Sequence, residues 1–410
     1  MKARQPIWVT IGLIAVAYLA VILILYFGFT STRKLIIWDM HPPLLAADAL
    51  WRGVNPYSVQ VTQAIQRLDY GRLARPGEDP QPFSYPLAIA FLFMPLARLP
   101  LQWAQAIWLA TLLFAALGGF ALVLMIWNIR LKPPGLGGLL IGWLVFYPLV
   151  WCFILGQVSL LVFFLPNLVI WAIQRNRDRM GGAALGLLLL KPQMGFLLVP
   201  MVLIWAIAHK LWRLVLSALA VMAMVAVLPL FFFPTWIFDF LQRMGEYNQF
   251  SPFTAPAVII ARDCCASASF WVAPFLVITI VGIFLWGFWR ALGSDHFNDF
   301  LWAASFALIA TTLIAPQISI VNQVLLLLPM IGLVRWLTSC GKLGNVVGVV
   351  LVIFWGASLW ILEALLPAST ALDLPALQHR VLSPVIPVTL GILWVFLKPK
   401  LTCMPALVGR

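Results

Sequence analysis

Few side chains in this sequence have the type and setting to do chemistry. Asp39 and His41 stand in WDMHPPLLAADALWRGVNPYS, just after the first apolar run; Tyr57 closes that stretch, and Tyr85 lies in PFSYP before the next run. Gln157 follows Gly156 between two apolar runs, and Lys191, Pro192 and Gln193 interrupt another. Arg33 precedes the first motif, Arg262 lies in a later polar segment, and Asn322 sits inside an apolar hairpin. A positioned aspartate can take a proton from a hydroxyl. Lysine and arginine can stabilise charge developing on an anion. Ionisable groups embedded among apolar runs are functional by default.

The elements that position these groups belong to a membrane protein. Of 410 residues, 63% are hydrophobic and only 10% charged, against about 25% charged in soluble domains. Repeated apolar runs of roughly 15 to 25 residues can cross a ~30 Å hydrocarbon layer as helices. The runs do not alternate in polarity, so helices, not a closed barrel, satisfy the backbone there. A net charge of +13 would suggest nucleic acid in a soluble protein. Here the Lys and Arg residues fall at the ends of apolar runs, as in cytoplasmic loops, and no nucleic-acid partner is expected. Cys152, Cys264, Cys265, Cys340 and Cys403 follow no metal or redox spacing, and no metal site is read from them. Phosphate-loop, HExxH and GxSxG motifs are missing as well.

Lys2 and Arg4 place the N-terminus in the cytoplasm, and residues 7–29 read as an uncleaved first transmembrane helix. Residues 30–85 form the first external loop, with Asp39, Asp48, Asp69, Glu78 and Asp79, five of the chain's 13 acidic residues. In it, Pro43 to Arg52 and Val59 to Leu73 read as short interfacial helices. The second puts Ile65 and Leu68 on one face and Gln66, Arg67 and Asp69 on the other. Phe83 to Arg98 is short, carries Pro86 and Pro95, and reads as a broken or re-entrant segment. Residues 136–213 read as two membrane hairpins. One is joined at Gly156-Gln157, and in the other two half-length helices meet at Lys191-Pro192, a shape that holds polar groups at depth. Residues 234–269 form a second external loop, and a later hairpin turns at Pro316-Gln317. About 13 runs with both termini cytoplasmic require an even number of crossings, so Phe83 to Arg98 is taken as the one that does not cross. The expectation is one all-α polytopic domain over residues 1–410, with about 12 spans in the inner (plasma) membrane. Its polar groups, Asp39, His41, Gln157, Lys191, Arg262 and Asn322, then converge on the outer face.

The order of these motifs resembles a known family. Asp39, Ala46-Ala47, Gly53-x-Asn55-Pro56-Tyr57, Phe83-x-Tyr85-Pro86, Gly156-Gln157, an RxRDR cluster and Lys191-Pro192 are similar in order and spacing to glycosyltransferase family 87. These are polyprenol-phosphate-mannose-dependent α-mannosyltransferases of the GT-C membrane superfamily. The resemblance covers roughly Ile7 to Trp212; beyond it the chain matches in hydropathy and in the Pro316 to Asn322 hairpin. It implies a GT-C-type bundle and a polyprenyl-phosphate sugar, most simply mannose, reaching the site from the bilayer. It also implies transfer with inversion to an extracytoplasmic lipid or glycan acceptor, and no cofactor. By position Asp39 becomes the catalytic base. Inversion needs one such base, and cations for the departing phosphate; Lys191, Arg262 and Arg33 are the candidates, in that order. His41, Tyr57, Tyr85, Gln157, Gln193 and Asn322 are candidates for holding sugar or acceptor. Asn322 stands where the family commonly has an acidic residue or a histidine, which bears on which acceptor is used.

Structural roles stand beside the functional ones. Asp39 can pair with Arg33 or Lys34 at the membrane surface, Lys191 can snorkel to the interface, and Gln157 can cap a turn. His41 reads more simply as a loop histidine and Tyr85 as an interface anchor. Two other activities fit the hydropathy: a secondary transporter or lipid flippase, and an oligosaccharide ligase or polymerase using diphosphate-linked donors. Transporters usually show two related halves, and no internal repeat is visible here.

Overall fold

The computed structural model describes residues 7–32, 37–250, 255–365 and 382–397. Among these the chain is helical throughout, with no strand. Arg33, Lys34 and the expected external turn near Asp373 and Arg380 lie outside the described residues.

Helices α1 (Ile7–Thr32), α2 (His41–Trp51), α3 (Val59–Tyr70) and α4 (Ala88–Phe93) lead into α5 (Leu101–Ile126). Then come α6 (Pro133–Leu144), α7 (Tyr147–Leu155), α8 (Ser159–Gln174), α9 (Asp178–Leu187), α10 (Leu198–Ala208) and α11 (Trp212–Val227). The chain continues with α12 (Trp236–Phe250), α13 (Pro256–Cys264), α14 (Ser269–Leu292), α15 (Phe297–Ile314), α16 (Leu327–Ser339), α17 (Lys342–Leu365) and α18 (Val385–Leu397). Among the described residues, seven helical segments are long and apolar enough to cross a bilayer, or eight if α6 and α7, bent by 56° at their junction, count as one. The chain is therefore a multi-pass membrane protein. Length alone identifies fewer crossings than the twelve or so read from hydropathy, because several apolar runs hold helices of only 10–17 described residues, such as α8, α10 and α18. The run from Phe83 to Arg98 becomes α4 and a single 3-10 turn at Leu96–Arg98, too short to cross.

Burial sorts the helices into inner and outer ones. The stretch Ile320–Ser339 is 89% buried and α15 78%, while α1 and α14 are each 6% buried. Exposed residues of the outer helices are large and apolar, including Trp8, Ile24, Phe275 and Val349, as lipid contact requires. Lipid tails are as apolar as these side chains, so helix association rests on close packing and small residues, with little hydrophobic drive. The α9–α11 contact shows this: a Cβ on Gly182 would lie 2.2 Å from the Leu214 carbonyl oxygen.

The first loop folds into a tight unit. Residues of α2 are buried on nearly every side, including Pro42, Pro43, Leu44, Ala46, Ala47 and Leu50, so this helix forms the loop's core and does not expose one face. At the start of α3 the Ser58 hydroxyl accepts from Val61 N, and Gly71 at φ +69° ends the helix. Gln66 is buried, contrary to its place in the expected polar face. Its amide nitrogen donates to the Pro80 carbonyl at 2.8 Å and its oxygen accepts from Ala74 N at 3.1 Å, fastening the loop's return strand of chain. Asp69 is drawn inward by His41, and Leu68 is left exposed.

The packing argument predicts that Gly182→Val, which cannot fit without separating α9 from α11, lowers stability by about 1–3 kcal/mol. Gly282→Val on α14, where a Cβ meets nothing within 4 Å, should leave the thermal midpoint of the detergent-solubilised protein nearly unchanged.

Candidate active site

Three breaks in helical structure bring the site together. The first is the turn Trp38–Met40, which carries Asp39 between the fully buried Ile37 and Met40. The second is Gly156-Gln157, between α7 and α8. The third is Lys191, between two 3-10 turns at Leu188–Leu190 and Pro192–Met194, with its backbone at φ −141° and ψ 77°.

Gly156 has a reason to be glycine. Its φ is +66°, and a Cβ there would lie 1.8 Å from Ile37 Cγ2 and 3.3 Å from Met40 Cβ. The backbone thus presses directly on the residues flanking Asp39. Trp108 Nε1 donates to the Gly156 carbonyl at 2.7 Å and fixes the turn from α5. The next residue, Gln157, then reaches both charged groups. Its amide nitrogen donates to Asp39 Oδ2. Its amide oxygen accepts from Lys191 Nζ at 3.0 Å. Lys191 is 4% exposed and also donates to Ser159 Oγ at 2.6 Å. Ser159 in turn is 3.0 Å from Asn322 Oδ1.

A cavity of about 210 Å³ adjoins this chain of contacts. Tyr85, Lys191, Gln193 and Gln317 supply its polar lining, and Phe196, Phe240 and Met244 much of its apolar wall. Asp39 is half-buried and is joined to the cavity-lining Lys191 through Gln157. Loss of water pushes its carboxyl up to about 6, against the opposing pull of the Gln157 amide and the Lys191 charge, and the carboxylates of Asp79 and Asp69 push it the same way. The Tyr85 hydroxyl is also raised above its ordinary value, by burial first and then by the charge of Asp39.

The structure brings together Asp39, Gln157, Lys191 and Asn322 through hydrogen bonds, and Tyr85 and Gln193 through the cavity wall. Other expected site residues lie elsewhere. Arg262 is exposed, bonded to its neighbour Asp263 at 3.3 Å, and away from the cavity. Arg33 falls outside the described residues. His41 is buried with Nδ1 on Asp69 and Nε2 3.5 Å from Gln105, so it faces the loop core. Tyr57 is buried too, and its hydroxyl donates to the Tyr85 carbonyl at 2.8 Å. The Asn55-Pro56-Tyr57 turn therefore holds the cavity wall from behind.

Several contributors were not read from the sequence. Helix α12 turns one face to the first loop. Asp239 accepts from Asn55 Nδ2 at 2.9 Å, Arg243 Nε donates to the Tyr57 carbonyl at 2.9 Å, and the Tyr247 hydroxyl meets Asp79 at 3.1 Å. Phe240 and Met244, on the adjoining stripe, face the cavity. The i, i+4, i+8 spacing of Asp239, Arg243 and Tyr247 was the available signal. Ser159 was another, two residues after Gln157.

The family model of glycosyltransferase family 87 matches residues 83–316, more than half of the chain. The chain belongs to glycosyltransferase family 87. It is a membrane glycosyltransferase, which decides against the transporter reading. The match takes in Tyr85, Gln157, Lys191 and Gln193 and begins after Asp39, His41 and Tyr57. Its span also differs from the Ile7 to Trp212 stretch of the motifs: it reaches through α12 and α13 to the end of α15. No curated protein and no solved structure matches the chain.

Because Gly156 presses on the turn that carries Asp39, Gly156→Ala in this family 87 transferase should displace the carboxylate. Misplacement of about 1 Å costs on the order of 100-fold in rate. The expected outcome is a loss of that size in sugar transfer, measured on protein that still elutes as a single species.

Proposed function

We propose that this transferase moves mannose from a polyprenyl-phosphate donor to a lipid or glycan acceptor, with inversion, on the outer face of the plasma membrane and with both termini cytoplasmic. The carrying observation is that one amide, Gln157, bridges a carboxylate and a buried ammonium at the edge of a cavity with both apolar and amide walls. A GT-C architecture accords with the polytopic helical fold and the folded first loop.

The division of labour follows from the hydrogen bonds. Gln157 occupies Asp39 Oδ2 and leaves Oδ1 to receive the acceptor hydroxyl's proton. As the acceptor oxygen bonds to the sugar's anomeric carbon, the bond from that carbon to the phosphate oxygen breaks, and its electron pair stays on the phosphate. Lys191 donates to two protein oxygens and has three N–H groups. The third is available to the phosphate at the cavity it lines. Phe196, Phe240 and Met244 suit the isoprenoid end of the donor, while Gln193, Tyr85 and Gln317 suit hydroxyls. Arg262 and Arg33 are not needed in this scheme. Gln157 and Asn322 act on Asp39 and Lys191, so their place is in positioning more than in sugar binding.

Two measurements test this reading. With radiolabelled polyprenyl-phosphate mannose and purified protein, Asp39→Asn should lower transfer by about 10²- to 10⁴-fold, the range of a lost general base; full activity would overturn the assignment. The base works only when ionised, so kcat/KM should rise with pH up to about 6 and level off above it. This acidic limb should vanish in Asp39→Asn. Competition separates donor classes: polyprenyl monophosphate should inhibit transfer, and stronger inhibition by the diphosphate would point to a ligase-type donor.

A further inference from the structure

Lys191 is supported on the side away from Asp39 by residues that carry no charge. An ammonium has three protons and no lone pair, so Ser159 Oγ, 2.6 Å from Nζ, must accept. The single Ser159 proton then goes to Asn322 Oδ1 at 3.0 Å, the closer of its two acceptors, the other being Gln157 Oε1 at 3.4 Å. This sets the Asn322 amide with its oxygen towards Ser159 and its nitrogen donating to Ser319 Oγ at 3.2 Å. Every direction in the series from Lys191 through Ser159 and Asn322 to Ser319 is therefore fixed from the ammonium end.

The series also joins distant parts of the chain. Ser159 is the first residue of α8 and fully buried, and Asn322, 1% exposed, sits in the 3-10 turn Ile320–Leu326 that packs on α7 and α8. The groups bonded to Lys191, Gln157 and Ser159, are neutral, and among the described residues no carboxylate forms an ion pair with it. A buried cation is usually paired with an opposite charge. Here neutral oxygens solvate it directly and the Gln157 amide stands between it and the Asp39 carboxylate, so no direct ion pair occupies the ammonium when an anion enters the cavity.

We propose that Ser159, backed by Asn322, is the positioning residue that aims the Lys191 ammonium at the donor phosphate and holds it without neutralising it. The proposal rests on the reading of Lys191 as the phosphate ligand given above. It assigns Asn322 a reason to be neutral: an aspartate could accept from Ser159 equally well, but would bring a negative charge within one hydroxyl of the ammonium.

The test is binding of a long-chain polyprenyl monophosphate to the full-length protein in lipid nanodiscs, followed by tryptophan fluorescence. A lost hydrogen bond to a charged group corresponds to roughly tenfold or more in affinity. Ser159→Ala should therefore bind about tenfold more weakly, and Ser159→Thr, which keeps the hydroxyl, within about threefold of the natural protein. Lys191→Met should bind on the order of 100-fold more weakly, and adding Ser159→Ala to it should change nothing further. Unchanged binding in Ser159→Ala, or effects that multiply in the double variant, would overturn the relay while leaving Lys191 as phosphate ligand. Natural affinity in Lys191→Met would instead overturn the phosphate reading itself. Should Ser159→Ala fail to fold, Asn322→Asp serves: it keeps an acceptor for Ser159, and binding should weaken at least about tenfold with an unchanged thermal midpoint. Unweakened binding in that variant would refute the requirement for a neutral support.

Discussion

The site depends on opposite charges being kept apart by one amide. At about 4 Å and an effective dielectric of about 20, two unit charges attract by roughly 4 kcal/mol. A direct Asp39–Lys191 pair would occupy both charges. Gln157 touches both, donating to the carboxylate and accepting from the ammonium, and so satisfies each while preventing their contact. The carboxyl of Asp39 reaches about 6 because burial outweighs these two favourable partners. A base with its pKa near the operating pH is both ionised and able to take a proton.

That geometry accounts for structure well beyond the three residues. Gln157 can reach Asp39 only because Gly156 lets the α7–α8 turn lie against Ile37 and Met40. The Asp39 turn is in turn carried by a loop with its own core, pinned by His41 to Asp69, by Gln66 to the return chain, and by Tyr57 to Tyr85. Helix α12 fastens the outside of the loop through Asp239, Arg243 and Tyr247 while lending Phe240 and Met244 to the cavity. His41 and Tyr57 are both buried in the frame of this loop, His41 on Asp69 and Tyr57 on the cavity-lining Tyr85.

What was legible in the sequence follows a physical division. Apolar run length and basic flanks gave the polytopic helical class, and the breaks at Gly156-Gln157 and Lys191-Pro192 were readable because glycine and proline interrupt helices for local reasons. The convergence of Asp39, Gln157 and Lys191 on one face was also readable, since hairpin topology alone carries it. Contacts between segments far apart in the chain were less so. Arg262 reads as the second candidate cation after Lys191, yet it is exposed and tied to Asp263, a feature of tertiary packing that no spacing encodes. Likewise Asp69 and Gln66 read as solvent-facing from helical period, and were buried because His41 and the loop return supply partners for them. The number of crossings was legible only coarsely, because a helix cut by proline leaves pieces whose span cannot be counted from hydropathy.

The same division explains why Asn322 was noticed and Ser159 was not. Asn322 stood out against the family's usual residue at that hairpin, whereas a serine at the start of a helix is ordinary, since serine is a common capping residue. Its significance comes from what approaches it: an ammonium with no ion-pair partner on one side and an amide oxygen on the other. In a low-dielectric interior a cation solvated only by neutral oxygens keeps its attraction for an anion, and hydrogen bonds to it are stronger than in water. The broken helices place Lys191 where Gln157 and Ser159 supply oxygens to it, and Asn322 holds Ser159 in turn.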